Sequence, residues 1–565
     1  MKVSLNTIRQ YVNFELPPVD ELVARINEQL GGVEEVVDIG AKYKGIVIAK
    51  VVKCEPHPDS DHLHVCEIDI GDYPLPPTVE RLPSNLIQVV CGAPNVHADM
   101  FVAWLPPGAT VPASFDKEPF VLDVRKIRGV ESNGMLASSA ELAIGDNHDG
   151  IVEIDTTEWK PTGVEIAPGV DFARAYGLDD TIIDIENKMF THRPDLFGQL
   201  GVAREIAGIQ QQPFVSPEWY LHPVIPTVAE ESSPNAAEDS SASPLGSGSA
   251  QNDKQLELTV SNDAGDKVPR FMAVAIKDIE IKPSPLWLQC ALVAMGGKPI
   301  NNIVDVTNYV MLLTAQPTHA YDYDKLRGHK IGARMAKQGE QLPLLNGKTY
   351  TLEADDIVIV DGEGPVGLGG IMGGGNSEVS ASTKNIVLEV ANFDMYTVRK
   401  SSMRHGLFTD ALTRFNKGQS PLQNDRIIAL LMQSVFDVAG GSQASNVFDE
   451  WNLESRIKNQ EVEVSSQFIN DRLGLALDVQ QIQMLLENVE FTCTIHDTSI
   501  KIQPPFWRTD IDLPEDIVEE VGRLYGFDKL PRELPLRSMK PAPKNPNFEM
   551  KRKLAKYSLE PVQMR

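Results

Sequence analysis

The chain has 565 residues, of which 42% are hydrophobic, and its formal net charge is −27 at pH 7. Its length predicts several domains, because single hydrophobic cores stop growing at about 250–300 residues, and it has neither an apolar run long enough for a membrane span nor a signal-peptide core. Such an acidic chain is a poor non-specific binder of polyanions, so nucleic acid would have to be bound through local basic patches or with a partner.

The first part of the chain predicts a short helical region followed by many short strands. A strand, VEEVVDI, follows Gly31-Gly32. From residue 42 to 155, turns rich in Pro, Gly, Asn and Asp separate five β segments: GIVIAKVVKCEP, HLHVCEIDIG, LIQVVCGAP, MFVAWLPPGATVP and VLDVRKIRGVES. Short strands at such close spacing predict a small barrel or sandwich.

A cluster of histidines and cysteines lies between Cys54 and Cys66, in CEPHPDSDHLHVC. A metal site is one interpretation, but no Cys-x-x-Cys pair is present, and the PHPDSDH core favours a turn between two strands. The chain has five cysteines in all. An odd, scattered set predicts free thiols in a reducing cytoplasm.

The middle of the chain predicts a mixed α/β region with one interruption. Asp195 is a plausible N-cap for a helix with apolar residues at helical spacing. Residues 227–254 are rich in Ser, Ala, Asp, Glu, Pro and Gly, and predict a flexible insertion. Further on, NNIVDVTNYVMLL is helix-like, and His319 follows it. On pattern alone, a lone histidine before an aromatic run is more typical of a packed core residue than of a catalyst.

A glycine-dense stretch begins at Gly367 and leads to a strand, NIVLEVANF, that carries Glu389. Its spacing fits neither a nucleotide P-loop nor the dinucleotide fingerprint, so a tight turn between strands is the alternative to a binding loop. Glycines let the backbone approach a ligand closely, and an acid in an apolar strand needs a partner. With Thr409 and Ala411 downstream, the stretch predicts the wall of a ligand pocket.

The segment FWRTDIDLPEDIVEEVGRLYGF carries a set of carboxylates that could hold Mg²⁺. Asp512 can cap a helix, and Pro514 suits its first turn. The alternative to a metal site is a solvated acidic face favoured by the helix dipole. The four candidate ligands are Asp510, Asp516, Glu519 and Glu520. Past Pro541 a basic, helix-prone tail follows.

Taken in this order, the blocks resemble the beta subunit of bacterial-type phenylalanyl-tRNA synthetase (phenylalanine--tRNA ligase) from MKVSLNTIRQYV to about Leu530. The resemblance implies a multidomain α+β protein, in which an OB-fold tRNA-binding barrel is inserted in an N-terminal α/β domain and is followed by a mixed α/β editing module and a small α/β domain. The implied bounds are 1–41 with 156–195 for the N-terminal domain, 42–155 for the barrel, 196–455 for the editing module, 456–535 for a small DNA-binding-protein-like domain, and 536–565 for a tail that begins a catalytic-like domain.

The resemblance also implies an activity and roles for the candidate residues. The holoenzyme would join Phe to tRNA(Phe) with ATP in the alpha subunit, and this chain would bind tRNA and hydrolyse mistakenly formed Tyr-tRNA(Phe). Glu389 matches the acceptor of the tyrosine hydroxyl. Thr307, His319 and Thr409 match polar positions near the ester or its water, while Gly373 and Ala411 match small residues that leave room for the substrate. Asp510, Asp516, Glu519 and Glu520 match positions of a Mg²⁺ site shared with the alpha subunit.

The implied partners are tRNA(Phe) and an alpha subunit in an alpha2beta2 heterotetramer, in the cytoplasm and away from membranes. The family continues for some hundreds of residues, so we expect a fragment or a shortened gene product. Two alternatives remain open on the sequence: a non-catalytic tRNA-binding or assembly protein that has lost editing, and an independent metal hydrolase that uses the acids at 510–520.

Overall fold

The computed structural model describes residues 1–225, 255–452, 461–530 and 544–559. The predicted insertion at 227–254 lies outside the described residues. The chain divides into two compact units, Met1–Asp528 and Lys529–Arg565. Within the described ranges, every helix is too short or too polar to cross a lipid bilayer.

The N-terminal part is a helix-and-sheet segment followed by a strand-rich segment. It begins with β1 (Lys2–Ser4), α1 (Leu5–Tyr11), α2 (Val19–Gln29) and β2 (Val33–Asp38). The strand-rich segment contains β3 (Val47–Pro56), β4 (His64–Asp69), β5 (Ile87–Cys91), β6 (Phe101–Leu105), β7 (Val124–Ile127), β8 (Val130–Asn133), β9 (Met135–Leu136) and β10 (Glu153–Ile154). After it come α3 (Phe172–Tyr176) and β11 (Thr181–Ile185).

Strand β11 lies between β1 and β2 in a three-stranded antiparallel sheet, so residues from both sides of the strand-rich segment share one sheet. All five predicted β segments contain strands. Their main sheet has the order β10-β6-β3-β4-β5, with β9 also paired to β6, and these pairings form an open path. The predicted hairpin is confirmed, because β3 and β4 are antiparallel and Cys54 lies opposite Cys66.

The middle of the chain is a mixed α/β region, as predicted. Its first elements are α4 (Gln199–Ile209), α5 (Glu218–Leu221), β12 (Thr259–Asn262), β13 (Arg270–Lys277), α6 (Leu286–Ala294), α7 (Asn302–Thr314), β14 (His319–Asp322), β15 (Lys330–Met335), β16 (Gln341–Pro343) and β17 (Thr349–Thr351). They are followed by β18 (Ile357–Val360), β19 (Pro365–Leu368), β20 (Met372–Gly373), β21 (Ile386–Ala391), α8 (Met395–His405), α9 (Asp410–Phe415), α10 (Asn424–Ala439), β22 (Ser442–Gln443) and β23 (Phe448–Trp451).

Two sheets organise this region. One has the order β12-β15-β18-β19-β20, and the other has the order β14-β21-β13-β22, with β23 also paired to β13. Strand β21 is buried along its whole length. Its even-numbered residues pack in a core shared with α7 and α10, while Val387 and Ala391 pack in a second core with the other sheet. Because side chains alternate along a strand, residue 389 points toward the second core.

The C-terminal part of the first unit is a small α/β module with its own core. Its elements are β24 (Val462–Ser465), α11 (Ser466–Leu473), α12 (Val479–Glu487), β25 (Thr492–His496), β26 (Ser499–Gln503) and α13 (Pro514–Tyr525). The three strands form a sheet in the order β24-β26-β25. In the second unit, α14 (Pro546–Leu559) confirms the predicted helical tail.

Two predicted helix caps are wrong. Helix α4 begins at Gln199 with Gly198 at its N-cap, because the Asp195 carboxylate is bound by a neighbouring guanidinium instead. Helix α13 does begin at Pro514, but its N-cap residue is Leu513 rather than Asp512. At α13 the Asp516 carboxylate accepts from the backbone N–H groups of residues 512 and 513, whereas Gly198 caps α4 without a side-chain hydrogen bond.

Candidate functional site

Two of the predicted site residues face each other across neighbouring strands. In the antiparallel pairing of β14 with β21, His319 lies directly opposite Glu389. Opposed residues of such a pair have their Cβ atoms about 4.5–5.5 Å apart and on one face of the sheet. Glu389 is only 6% exposed. The fold therefore brings a buried acid and a half-buried imidazole, 70 residues apart in the chain, next to each other.

Tyr321 is a third member of this group that the sequence analysis missed. Its Oη donates a hydrogen bond of 2.6 Å to Glu389 Oε2. Its ring lies edge-on to the His319 imidazole, with 4.6 Å between the ring centroids. Tyr321 follows His319 by two residues, so strand alternation places both on one face. That alternation is the signal that could have identified Tyr321 from the sequence.

Burial decides the pKa values of Glu389 and His319. Within the described part of the chain, Glu389 has no ion pair. Burial raises the pKa of Glu389 to about 7, and the hydrogen bond from Tyr321 opposes this rise. Burial also lowers the pKa of His319 to about 4. At neutral pH the imidazole is therefore uncharged and can donate one hydrogen bond and accept another, while the carboxyl group exists in both protonation states.

Gly373 lies against the imidazole of His319. A Cβ atom at this position would be 2.6 Å from His319 Nε2 and 2.7 Å from Cε1, much closer than side-chain carbons pack. Gly373 is held there by strand β20, where it pairs with Gly367. The absence of a side chain at Gly373 therefore leaves room for the His319 ring, the candidate catalytic group.

Thr409 and Ala411 lie at the start of helix α9. The Thr409 side chain is the N-cap, since its Oγ1 accepts from the backbone N–H of Leu412 at 3.1 Å. The same hydroxyl donates to the carbonyl oxygen of Ile371 at 2.8 Å, which ties α9 to the glycine stretch just before Gly373. Ala411 is half-buried and packs against the second core. Thr409 therefore has a structural role beside its predicted one.

Thr307 lies in α7 and is connected to the site through the chain that precedes His319. Its Oγ1 donates to the carbonyl oxygen of Val304 at 2.7 Å. Its own carbonyl oxygen accepts a hydrogen bond of 3.4 Å from Thr318. The Thr307 hydroxyl is thus used within its own helix, and its predicted role near the ester stays a prediction.

The four predicted metal ligands have different surroundings. The Arg508 guanidinium binds both carboxylate oxygens of Asp510, at 2.8 and 2.7 Å, and also contacts Glu520 at 3.1 Å. Asp516 accepts from the backbone N–H groups of residues 512 and 513, at 2.9 and 2.7 Å. Glu519 is exposed, and its Oε1 lies 3.9 Å from His192 Nε2. Two of the four carboxylates are therefore neutralised by arginine, and a third serves its own helix.

This arrangement does not fit a magnesium ion held by the described residues alone. Among the described residues no group of three or more His, Cys, Asp or Glu is placed to hold a metal. Burial would raise the pKa of Glu520, but Arg508, Arg523 and Arg193 lower it well below the usual value of a glutamate. The metal role of the four acids stays a prediction, and it requires ligands from beyond the described residues.

Replacing Glu520 by Ala should destabilise the protein strongly. The substitution leaves the buried guanidinium groups of Arg508 and Arg523 without their shared partner, which costs about 3–5 kcal/mol. The matched control is Glu519→Ala on the exposed face of the same helix, which should change stability by less than about 0.5 kcal/mol. Urea unfolding followed by circular dichroism measures both. Equal effects of the two substitutions would contradict the structural role assigned to Glu520.

Replacing Glu389 by Gln should change how stability depends on pH. Because the folded pKa of Glu389, about 7, lies above the ordinary 4.5, the folded state holds this proton more tightly than the unfolded state. The contribution of Glu389 to stability is therefore present below pH 4.5 and is lost as the pH rises to 7, by at most about 3 kcal/mol. Glu389→Gln should gain that amount relative to wild type between pH 4 and pH 8. Denaturant unfolding at both pH values measures it, and the exposed Glu378→Gln should parallel wild type.

Replacing Gly373 by Ala should displace the His319 ring. The added methyl group overlaps the imidazole, so we expect a loss of about 1–3 kcal/mol of stability and altered ring resonances of His319. The control is Gly375→Ala, whose Cβ would lie 3.6 Å from its nearest neighbour, the Leu344 carbonyl oxygen. Thermal unfolding and NMR of the histidine rings distinguish the two. Unshifted His319 resonances in Gly373→Ala would show that the two groups are not in contact.

Three family matches cover the described architecture. Residues 46–161 match a tRNA binding domain, residues 267–440 match the B3/4 domain, and residues 462–527 match the tRNA synthetase B5 domain. The candidate residues from Thr307 to Ala411 all lie within the B3/4 match, and the four acids lie within the B5 match. This combination defines the chain as a protein of the aminoacyl-tRNA synthetase class.

Comparison with curated relatives identifies the family within this class. A phenylalanine--tRNA ligase beta subunit from Latilactobacillus sakei subsp. sakei is 35% identical over 541 residues, which cover 95% of this chain and 61% of the relative. Beta subunits of the same name from Oceanobacillus iheyensis and Geobacillus kaustophilus are 33% and 32% identical, over 95% and 99% of this chain and 60% and 63% of the relatives. The chain belongs to the phenylalanine--tRNA ligase beta subunit family. It spans about three-fifths of the length of these relatives.

Proposed function

We propose that this chain binds tRNA and hydrolyses Tyr-tRNA(Phe), as the editing part of a phenylalanine--tRNA ligase beta subunit. The observation that carries the proposal is the buried carboxylate of Glu389, which has no cation among the described residues and lies opposite a neutral His319. Tyr321 donates to one oxygen of this carboxylate, and the other oxygen can accept a hydrogen bond from a ligand. The hydroxyl of a tyrosine supplies such a donor, and phenylalanine does not.

Selectivity follows from the cost of an unpaired polar group. An apolar pocket rejects an isostere with one extra hydroxyl only weakly, whereas a site that hydrogen-bonds the hydroxyl rejects the analogue lacking it by about 10⁴–10⁵-fold. A synthetic site that prefers Phe therefore admits some Tyr, and a second site built around Glu389 removes it. The same acceptor spares Phe-tRNA, because binding it would bury the second oxygen of the carboxylate without a hydrogen-bond donor.

The chemical step is the hydrolysis of an ester. A water molecule adds to the ester carbonyl, the bond between that carbon and the ribose oxygen breaks, and the water proton passes to the leaving oxygen, which gives tyrosine and tRNA. His319, neutral at pH 7, orients the water by hydrogen bonding. Thr307 and Thr409 contribute polar groups at the edge of the site, and Gly373 and Ala411 leave room for the substrate.

The remaining functions are those of the whole ligase. In this proposal the alpha subunit joins Phe to tRNA(Phe) with ATP, and two copies of each subunit form the assembly. The strands between residues 42 and 155 act as an OB-fold that binds tRNA. The other domains have the bounds given in the sequence analysis. A Mg²⁺ ion would be shared with the alpha subunit, with Asp510, Asp516, Glu519 and Glu520 on this side of the contact.

Hydrolysis of Tyr-tRNA(Phe) by the 565-residue chain tests the proposal. We expect His319→Ala to lower the rate by at least about 100-fold, in the range typical of positioned polar groups at the reacting centre. We expect Glu389→Ala to lower it by about 10- to 100-fold, because the substrate hydroxyl loses a charged hydrogen-bond acceptor. The control is Glu378→Ala, an exposed acid of the same module. Unchanged hydrolysis in both site variants would refute the site. A wild-type chain that binds tRNA but hydrolyses nothing would be a tRNA-binding protein without editing.

A further inference from the structure

We propose that Tyr321 is a positioning residue that sets the selectivity of this site, because its phenol occupies one oxygen of Glu389 and directs the other to the phenol of the substrate. The inference rests on the proposed editing function. The inference adds Tyr321 to the site, a residue whose phenol is the same chemical group as the phenol of the substrate tyrosine.

The two oxygens of the Glu389 carboxylate have different donors: the Tyr321 hydroxyl for one and the substrate hydroxyl for the other. Its Oε2 accepts the Tyr321 hydroxyl at 2.6 Å. Its Oε1 has no protein donor among the residues that the structure describes. A carboxylate held at one oxygen can no longer rotate freely, so the direction of the second oxygen is fixed as well. One oxygen is therefore committed to the protein, and the other is the free acceptor.

Tyr321 is itself held in place, so a substrate does not displace it. The side chain is 2% exposed and belongs to the second core. The ring packs edge-on against His319, and a Cβ on Gly367 would lie only 3.6 Å from the Tyr321 hydroxyl. Moving the phenol away from Glu389 would open this core. Two phenols, one from the protein and one from the substrate, thus share a single carboxylate.

The bond from Tyr321 also affects the protonation state of the acceptor. From β14 the side chains facing Glu389 are His319 and Tyr321, and from β13 it is the apolar Ala273. Burial lowers the pKa of His319 to about 4, so the ring is neutral over the relevant range. Burial raises the pKa of Glu389 to about 7, and the Tyr321 hydroxyl is the group that opposes this rise. Without it, less of the acid is ionised at neutral pH.

The test is Tyr321→Phe in the full chain, with hydrolysis of Tyr-tRNA(Phe) and Phe-tRNA(Phe) measured from pH 5 to pH 9. We expect the preference for the tyrosyl substrate to fall by about 10-fold at pH 7, the equivalent of one hydrogen bond. The acidic limb of kcat/KM should move to higher pH by about one unit, and the loss should shrink at pH 9. The matched control is Tyr323→Phe, which removes another phenol hydrogen bond, to the Glu257 carbonyl oxygen, in the same module.

A second measurement avoids substitution and any failure to fold. Wild-type protein made with 3-fluorotyrosine has a stronger phenol donor, so its acidic limb should move to lower pH. The inference is overturned if fluorotyrosine leaves the limb in place, or if Tyr321→Phe lowers hydrolysis of both substrates equally at every pH. In those cases the editing function still stands. A wild-type chain that hydrolyses no Tyr-tRNA overturns the proposed function and this inference together.

Discussion

The candidate site depends on one costly arrangement, a carboxylate that is buried in a β-sheet and has no cation beside it in the part of the chain that the structure describes. Desolvation of a charge is unfavourable unless a partner compensates it. Among the described residues, Glu389 has one hydrogen-bond partner of modest strength, the hydroxyl of Tyr321. The surrounding fold makes this tolerable, because β21 is buried between two extensive hydrophobic cores. The cores fix the strand, and the strand holds the acid where it would not otherwise stay.

A second buried carboxylate, that of Glu520, has the opposite surroundings and is neutralised by arginines. Glu520 lies among Arg193, Arg508 and Arg523, at distances of 3.6, 3.1 and 2.8 Å. These arginines keep it ionised, and they join residues before α4 to the C-terminal module. Such a carboxylate is fixed by its ion pairs, and its oxygens accept hydrogen bonds from the protein's own arginines. The contrast separates an acid that holds the fold together from an acid that keeps one oxygen free for a ligand.

Much of the fold was predictable because it depends on local pattern. The short strands of residues 42–155, the hairpin between Cys54 and Cys66, and the start of α13 at Pro514 follow from turn residues and alternation. The two helix caps were wrong for different reasons: Arg193 binds the Asp195 carboxylate, and Asp516 accepts the N–H groups at the start of α13. Local pattern also pointed to Glu389, since an acid stands out in an apolar strand.

The rest of the site depends on contacts that no local pattern encodes. The bond between Tyr321 and Glu389 joins residues 68 positions apart. Among the arginines around Glu520, Arg523 lies three residues further along the same helix, but Arg193 is 327 positions away. In both cases the sequence supplies the residue types, and only the pairing of distant elements decides which ones meet. Sequence reasoning therefore identified the acids and missed the groups that determine what each acid can do.

Strand register links this fold to its proposed chemistry. Side chains alternate with a period of two, so a slip of β14 by one residue would send both His319 and Tyr321 to the opposite face and leave Glu389 with neither. The apolar partners of β21 oppose that slip, since it would also bring polar groups into the core shared with α7 and α10. The hydrophobic pattern that stabilises the sheet is thus the same pattern that places the imidazole and the phenol beside the carboxylate. Selection for stability and selection for discrimination act here on one register.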